Sequence, residues 1–510
     1  MSLQYFQEKI KEKRKNTPFR EFVMEIASWD SFNFYKNQGL ISSYPPSDRV
    51  INLVAIGKGE KNSFSQEIQK DKPFLYQFSE FFKNIEQECF IHHTASENCE
   101  YTNKLSFAKN CYLSNTVIRD VSNIFYSFSV KENSHNVFNS VIVWNNCDNI
   151  YFGTGVIEST NIFYSKYIIS SSNIWFSTNL IGCSECILCN KLENKKYCIE
   201  NKEYSHEEYG KKKNEILKNK EKFFDLFKNL KTKGENQGIN IVQSYFVRES
   251  ENVENGFICY RVKNGRNIMF LGGENQNENM YDFCDGGTVG NSDIYGVNGA
   301  GGGSQNIYLS KGIIRSSNIY YCYNLDSCSF CLGCINLQNK SYCIFNKEYL
   351  KEEWEKKVEE IFSTMEKDGS LGKYFPASMN PYYFNDTLAS LIIDFSKEEI
   401  IKAGFMWRDE SIKADIPEGM EIIYTTLPTL LSPSFPPQLR GIKGEFLSDY
   451  QGFDSNGNWK INPEIMEKVI IDSNGNYYKI VKQEYEFLEK YGLPLPEIHW
   501  IERVKLNIKI

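Results

Sequence analysis

Aligned on NCYLS, NIFYS, NVFNS, NIYFG, NIFYS and NIWFS, the chain sets Asn110, Asn123, Asn136, Asn149, Asn161 and Asn173 at intervals of 13, 13, 13, 12 and 12 residues. One step back falls on Asn98. The rhythm returns downstream at Asn255, Asn267 and Asn279, then at Asn306 and Asn318, and slips in the Gly-rich stretch 286–303. A unit this short excludes helical hairpins and propeller blades, which need roughly 33 or more residues per repeat. It has room for apolar runs such as Ile162–Tyr164 and Tyr167–Ile169, closed by Ser and Asn. β-branched and aromatic residues favour strands, and Asn, Ser and Gly tolerate tight turns. The expectation is two short strands and two turns per unit, stacked as β-solenoid coils with Asn facing inward and its amides laddered.

A longer repeat lies over the short one. CSECILCNKLENKKYCIENKEY at 183–204 returns as CSFCLGCINLQNKSYCIFNKEY at 328–349. After the second copy, Trp354, Val358, Ile361, Phe362 and Met365 form one helical face that Gly369 ends. The first copy has a more charged counterpart with Ile216, Phe223, Phe224, Phe227 and Leu230. Both read as caps for open solenoid ends.

These features predict a mainly β chain, α+β overall: two short-coil β-solenoid stacks with capping helices, flanked by small globular α+β ends. The expected divisions are an N-terminal α+β region at 1–94, a first solenoid at 95–203, a helix and linker at 204–249, a second solenoid at 250–348, a capping helix at 349–369, a small helical or mixed region at 370–431 and a C-terminal domain at 432–510. In the N-terminal region the pattern predicts a charged helix at 8–16, a strand at 50–56 and an aromatic helix through Phe74, Phe78, Phe81 and Phe82. In the mixed region Ser396 should cap a short helix that Gly404 ends.

Fifteen cysteines carry the main chemical question. Cys183, Cys186 and Cys189 with Cys198, and Cys328, Cys331 and Cys334 with Cys343, approach the ligand spacing of zinc or iron–sulfur sites. The competing reading, adopted here, is that thiols fill a narrow interior, with no metal and no cofactor. No catalytic constellation stands out. His92 and His93 are adjacent and would point to opposite strand faces. Asp120, Asp148 and Asp293 are ordinary turn formers, without the carboxylate cluster of a polysaccharide-cleaving β-helix. Gly299, Gly301 and Gly303 read as a loop or coil break rather than a phosphate cradle.

A net charge of −7 argues against a general nucleic-acid binder. The N-terminal stretch has no signal-peptide pattern and no window reaches the ~18 apolar residues of a membrane span, so the expected location is cytoplasmic.

NKEYxxEE after each Cys-rich copy, YFPASMNPYYFNDTLASLIIDFSKEEIIKAGFMWRDE at 374–410 and YYKIVKQEYEFLEKYGLPLPEIHWIER at 477–503 together resemble an uncharacterised family of Cys/Asn-rich repeat proteins from small-genome, uncultivated bacteria. The resemblance covers the chain from about residue 71 onward. It implies zinc-ribbon-like ends, but the positions that match the C-terminal cysteines are Ile471, Asp472, Ser473, Asn474 and Gly475, then His499, Trp500, Ile501, Glu502 and Arg503. The thiolates are gone. The hairpin is expected to stand on its Asn-Gly turn and apolar packing.

The functional expectation is a non-catalytic scaffold offering an extended aromatic, Asn and Ser face to a protein or glycan partner. The alternatives are a zinc or iron–sulfur protein using the Cys triplets, or a nucleic-acid-binding relic of zinc-ribbon proteins.

Overall fold

The computed structural model describes residues 2–37, 40–47, 50–51, 64–88, 95–218, 235–238, 240, 242, 246–259, 262–270, 283–284, 294–301, 303–409, 416, 418–425, 445–455 and 457–508. His92, His93, Asp293, residues 219–234 and Pro433, Pro436 and Pro437 lie outside them. The chain is mainly β and packs as two compact units, each built from separated stretches. One comprises 1–91, 232–409 and the last residue; the other comprises 92–231 and 410–509.

Each unit contains a solenoid of parallel, in-register coils. In the first, Ile150 pairs with Ile162, Ile162 with Ile174, Ile174 with Cys186 and Cys186 with Cys198. In the second, Ile294, Ile307, Ile319, Cys331 and Cys343 follow the same pattern.

The coil differs from the expected two strands and two turns. Positive φ recurs at every third residue, as at Asn161, Tyr164, Tyr167, Ser170, Asn173 and Phe176. The backbone therefore turns a corner every three residues, and twelve residues close a coil of four sides. Each side sends inward the residue that follows its corner. Ile162, Ser165, Ile168 and Ser171 are accordingly buried, and so are Ile174, Ser177, Leu180 and Cys183 one coil later. Thirteen-residue coils carry a second positive-φ residue at one corner, as at Arg119 with Asp120 and Asn145 with Asn146. Left-handed geometry costs an ordinary L-residue roughly 1–2 kcal/mol and least for Gly, Asn and Asp. Asn thus marks the corner, and the expected inward Asn is corrected to a half-buried one.

The asparagines still form a ladder, because stacked corners bring equivalent amides together. Asn110 Nδ2 donates to Asn123 Oδ1 at 3.1 Å, Asn123 to Asn136 at 2.9 Å, Asn149 to Asn161 at 3.1 Å and Asn161 to Asn173 at 2.9 Å. Gly299, at φ +78°, is one more corner inside the strand Ile294–Gly301, which pairs with the next coil and so is no break.

The two Cys-rich copies close their solenoids identically. After the last inward cysteine the chain reverses and pairs antiparallel, Cys198 with Glu203 and Cys343 with Glu348. Lys202 and Lys212 lie over the Tyr204 ring at 5.4 and 5.3 Å, as Lys347 and Lys357 lie over Tyr349 at 5.6 and 5.1 Å. The helix Lys351–Lys367 then caps the second stack. Trp354, Val358, Ile361, Phe362 and Met365 are buried, and Trp354 Nε1 donates to Cys343 O at 3.2 Å. On the first stack the helix His206–Lys218 packs Tyr209 on Tyr197 at 5.6 Å.

The globular ends complete the units. The expected N-terminal helices occur at Leu3–Lys15 and Phe74–Lys83. Of the expected strand 50–56, Val50–Ile51 is described and paired with Gln87–Glu88. Ser396 caps the helix Lys397–Lys402 by accepting from Glu399 N at 3.1 Å.

Candidate functional site

The inner columns explain the cysteines. On two of the four walls the inward residue is chiefly Ile, Val or Leu, one of them ending in Cys186 and Cys198 or Cys331 and Cys343; on the other two it is chiefly Ser, small enough for aliphatic chains to meet across the interior. Each serine bridges two coils. Ser165 Oγ donates to Phe163 O at 2.8 Å and accepts from Ser177 N, one coil on, at 3.1 Å. Ser177 repeats this with Trp175 O at 2.7 Å and Cys189 N at 3.0 Å. Cys189 then takes the serine's place, donating to Ile187 O at 3.3 Å and accepting from Asn201 N at 3.5 Å. In the second unit Ser310, Cys322, Cys334 and Asn346 form the same column, with Cys322 N, Cys334 N and Asn346 N at 3.0, 3.2 and 3.5 Å from the preceding side chain. These thiols are hydrogen-bonding members of a polar column.

The candidate ligands gather as two stars. Cys186 interacts electrostatically with Cys183, Cys189 and Cys198, and Cys331 with Cys328, Cys334 and Cys343, while the two central thiols donate to Ser184 O at 3.4 Å and Ser329 O at 3.5 Å. The interaction with Cys183 and Cys189, with burial, pushes the Cys186 thiol far up, and Cys328 acts most strongly in the same way on Cys331. The same contact with Cys186 pulls Cys183 down to about 6. Among the described residues no group of three or more His, Cys, Asp or Glu has metal-holding geometry.

The outer walls divide into covered and open ones. Most of the aromatic columns are covered by each unit's own globular elements, while Tyr101 and Phe107 at the start of the first stack are exposed. In the first unit described, Phe74, Phe78 and Phe81 surround Phe345 at 5.3, 6.2 and 5.3 Å, and Trp29 meets Tyr323 at 6.0 Å. In the other unit Phe487 lies on Phe138 and Tyr151 at 4.5 and 5.8 Å, and Tyr491 lies on Phe163 at 5.1 Å.

Equivalent lysines, 145 positions apart, anchor these covers. Lys166 Nζ donates to Leu506 O at 2.9 Å, and its coil neighbour Thr154 donates to Asn507 O at 3.2 Å. Lys311 reaches Trp29 O and lies 3.1 Å from Asp30 Oδ1, while its neighbour Asn298 donates to Ile26 O at 2.8 Å. Each wall thus holds the carbonyl end of a helix, where cations are favoured. Two covers of unrelated sequence meet the same receptor positions.

A buried charge cluster reinforces the C-terminal cover. Arg503 and Glu484, both fully buried, pair at 2.8 Å, and Arg503 also donates to Asn139 Oδ1 at 3.1 Å. Burial pushes the Glu484 carboxyl up. Glu484 Oε2, Arg503 Nη2 and Tyr151 Oη find no hydrogen-bond partner among the described residues. Beside it, the hairpin of strands Val469–Ile471 and Tyr477–Tyr478 is held by Asp472. This buried carboxylate accepts from Asn474 N at 2.9 Å, Asn476 N at 2.9 Å and, across the domain, His499 N at 3.0 Å.

A half-buried polar wall runs along each solenoid: the Asn ladder flanked by Ser122, His135, Asp148, Thr160, Ser172 and Ser184 in one, and Gln305, Asn306, Ser317, Asn318 and Ser329 in the other. No protein-family model matches this chain, and no curated protein or solved structure shows significant similarity to it. No helix among the described residues is long and apolar enough to cross a membrane.

Proposed function

We propose that this protein is a non-catalytic binding scaffold that presents the Asn/Ser/Thr wall of each solenoid to a protein or glycan partner. The carrying observation is the division of the walls: most aromatic columns are buried under the protein's own elements, and a regular polar array is left partly exposed. Along most of the ladder each amide donates one N–H to the next, with Asp148 taking part between Asn136 and Asn149, and the repeat spaces equivalent groups at about 4.8 Å. Such an array suits a partner with repeated hydroxyl or amide groups. Membership of the Cys/Asn-rich repeat family and a cytoplasmic location belong to the same proposal.

The test compares wild type with a variant carrying Thr160→Arg and Ser172→Arg on the open wall. Both are passed over immobilised neutral polysaccharides and over lysate of the native host. A partner retained by wild type and lost by the variant, at unchanged circular dichroism, supports the proposal. Equal retention, or none by wild type, contradicts it.

A second reading, a metal held at the cysteine stars, is supported by the close approach of four thiols in each copy. Elemental analysis of purified protein decides it. About one equivalent of zinc or iron per triplet would replace the scaffold reading.

A further inference from the structure

We propose that His499 is an acid-sensitive latch: its neutral imidazole holds the helix Trp500–Ile508 in the form that clamps the C-terminal domain onto the aromatic wall of its solenoid. His499 stands immediately before that helix, and its Nδ1 accepts from Ile501 N at 3.3 Å. The ring therefore satisfies one of the N–H groups that a helix start leaves unpaired. Only an unprotonated Nδ1 can accept. Adding a proton there sets donor against donor and puts a positive charge at the positive end of the helix dipole.

The surroundings decide the sign. Burial is the largest influence and opposes protonation, and Arg503 and Lys505 on the same helix oppose it further. Asp472, from the hairpin turn, favours it, but this carboxylate is already engaged by Asn474 N and Asn476 N and by the His499 backbone. Glu502 is paired with Lys505 at 2.8 Å, and Glu484 with Arg503. The strand residue Tyr478 and the neighbouring Trp500 supply rings at 6.4 and 5.7 Å, and Glu497 precedes the site. The solenoid wall contributes Tyr126, Tyr151 and Tyr164, which face Arg503. Together these hold His499 down at about 4, below its ordinary 6.5. The closed helix therefore binds the proton more weakly than the open one, and opening grows as pH falls through that interval.

Opening this helix releases the clamp. Arg503 leaves Glu484 and Asn139, Leu506 O leaves Lys166, and Asn507 leaves Thr154. Amide hydrogen exchange on the full-length protein, corrected for intrinsic rates, reads the opening directly. For residues 500–508 the opening equilibrium should rise about tenfold per pH unit below about 6.5, levelling near 4, while the capping helix Lys351–Lys367 shows no such slope. His499→Asn, whose side chain can cap without titrating, should remain closed and lose the rise in opening as pH falls. His499→Ala should be more open at every pH and likewise lack that rise. A flat wild type, or the wild-type slope retained in His499→Asn, overturns the proposal.

Discussion

A serine facing the inside of a solenoid would ordinarily cost stability, yet here it is the residue that ties coil to coil. Ser177 closes a bond to Trp175 O and receives one from Cys189 N. Replacing it with Ala orphans the buried Cys189 N, while Trp175 O keeps the bond from Leu188 N, so Ser177→Ala should lose about 1–3 kcal/mol in chemical denaturation. Cys334 accepts from Asn346 N and donates to Leu332 O, so Cys334→Ser should cost less than Cys334→Ala in the same assay. Equal costs would mean that the thiols merely fill space. The 12-residue period and the burial of the triplets were legible in the sequence. The inward residue was misassigned because two strands and two turns per unit were expected, whereas a corner at every third residue sends inward the residue after Asn. The signal was present: Ile, Ser, Ile, Ser at spacing three through 162, 165, 168 and 171.

Among the elements, the helices behave as their patterns predict where apolar spacing is strong. Trp354 caps a column and is fully buried, so Trp354→Ala should destabilise the second solenoid by about 3–5 kcal/mol, read by loss of exchange protection in its terminal coils. The first copy carries Tyr209 at that position with a more charged helix, and its register past Lys218 lies outside the described residues. Lysine anchoring was not legible. Lys166 and Lys311 look like solvated strand residues until a helix end is placed over them, and that is a tertiary fact with no local pattern. Burial pulls Lys166 down to about 8 from 10.5. Between those values the unfolded chain binds more protons than the folded one, so this group makes stability rise with pH across that window. Lys166→Met should flatten that rise in thermal unfolding measured from pH 8 to 10. The Asp472 hairpin was foreseen as a turn with apolar support. Its carboxylate, gathering N–H groups from two loops, was missed because a lone Asp beside Asn-Gly is what any turn contains.

At the scale of the whole molecule, the duplication is carried through to the covers, each recruited from a different end of the chain. Sequence reading placed the globular ends but had no means of pairing them with solenoids, since that pairing depends on contacts across hundreds of residues. It also offered the aromatic columns as a binding face, because outward aromatics and covered aromatics look alike in one dimension. A chain ending after residue 409 lacks the cover of the first solenoid and should lose exchange protection across 114–187 while keeping it across 305–344. Underlying all of this is the claim that 12 or 13 residues make one rung of a parallel stack. Spin labels introduced through an unnatural amino acid on the open wall test it, leaving the native thiols untouched. Ser122 is paired by the register with His135, and the same column runs on through Asp148, Thr160, Ser172 and Ser184. Pulsed dipolar spectroscopy should give separations from Ser122 that grow linearly by about 4.8 Å per rung, reaching roughly 19 Å at Ser172 and roughly 24 Å at Ser184. Separations that fail to increase in even steps, or that return toward short values as antiparallel hairpins would make them, contradict the account.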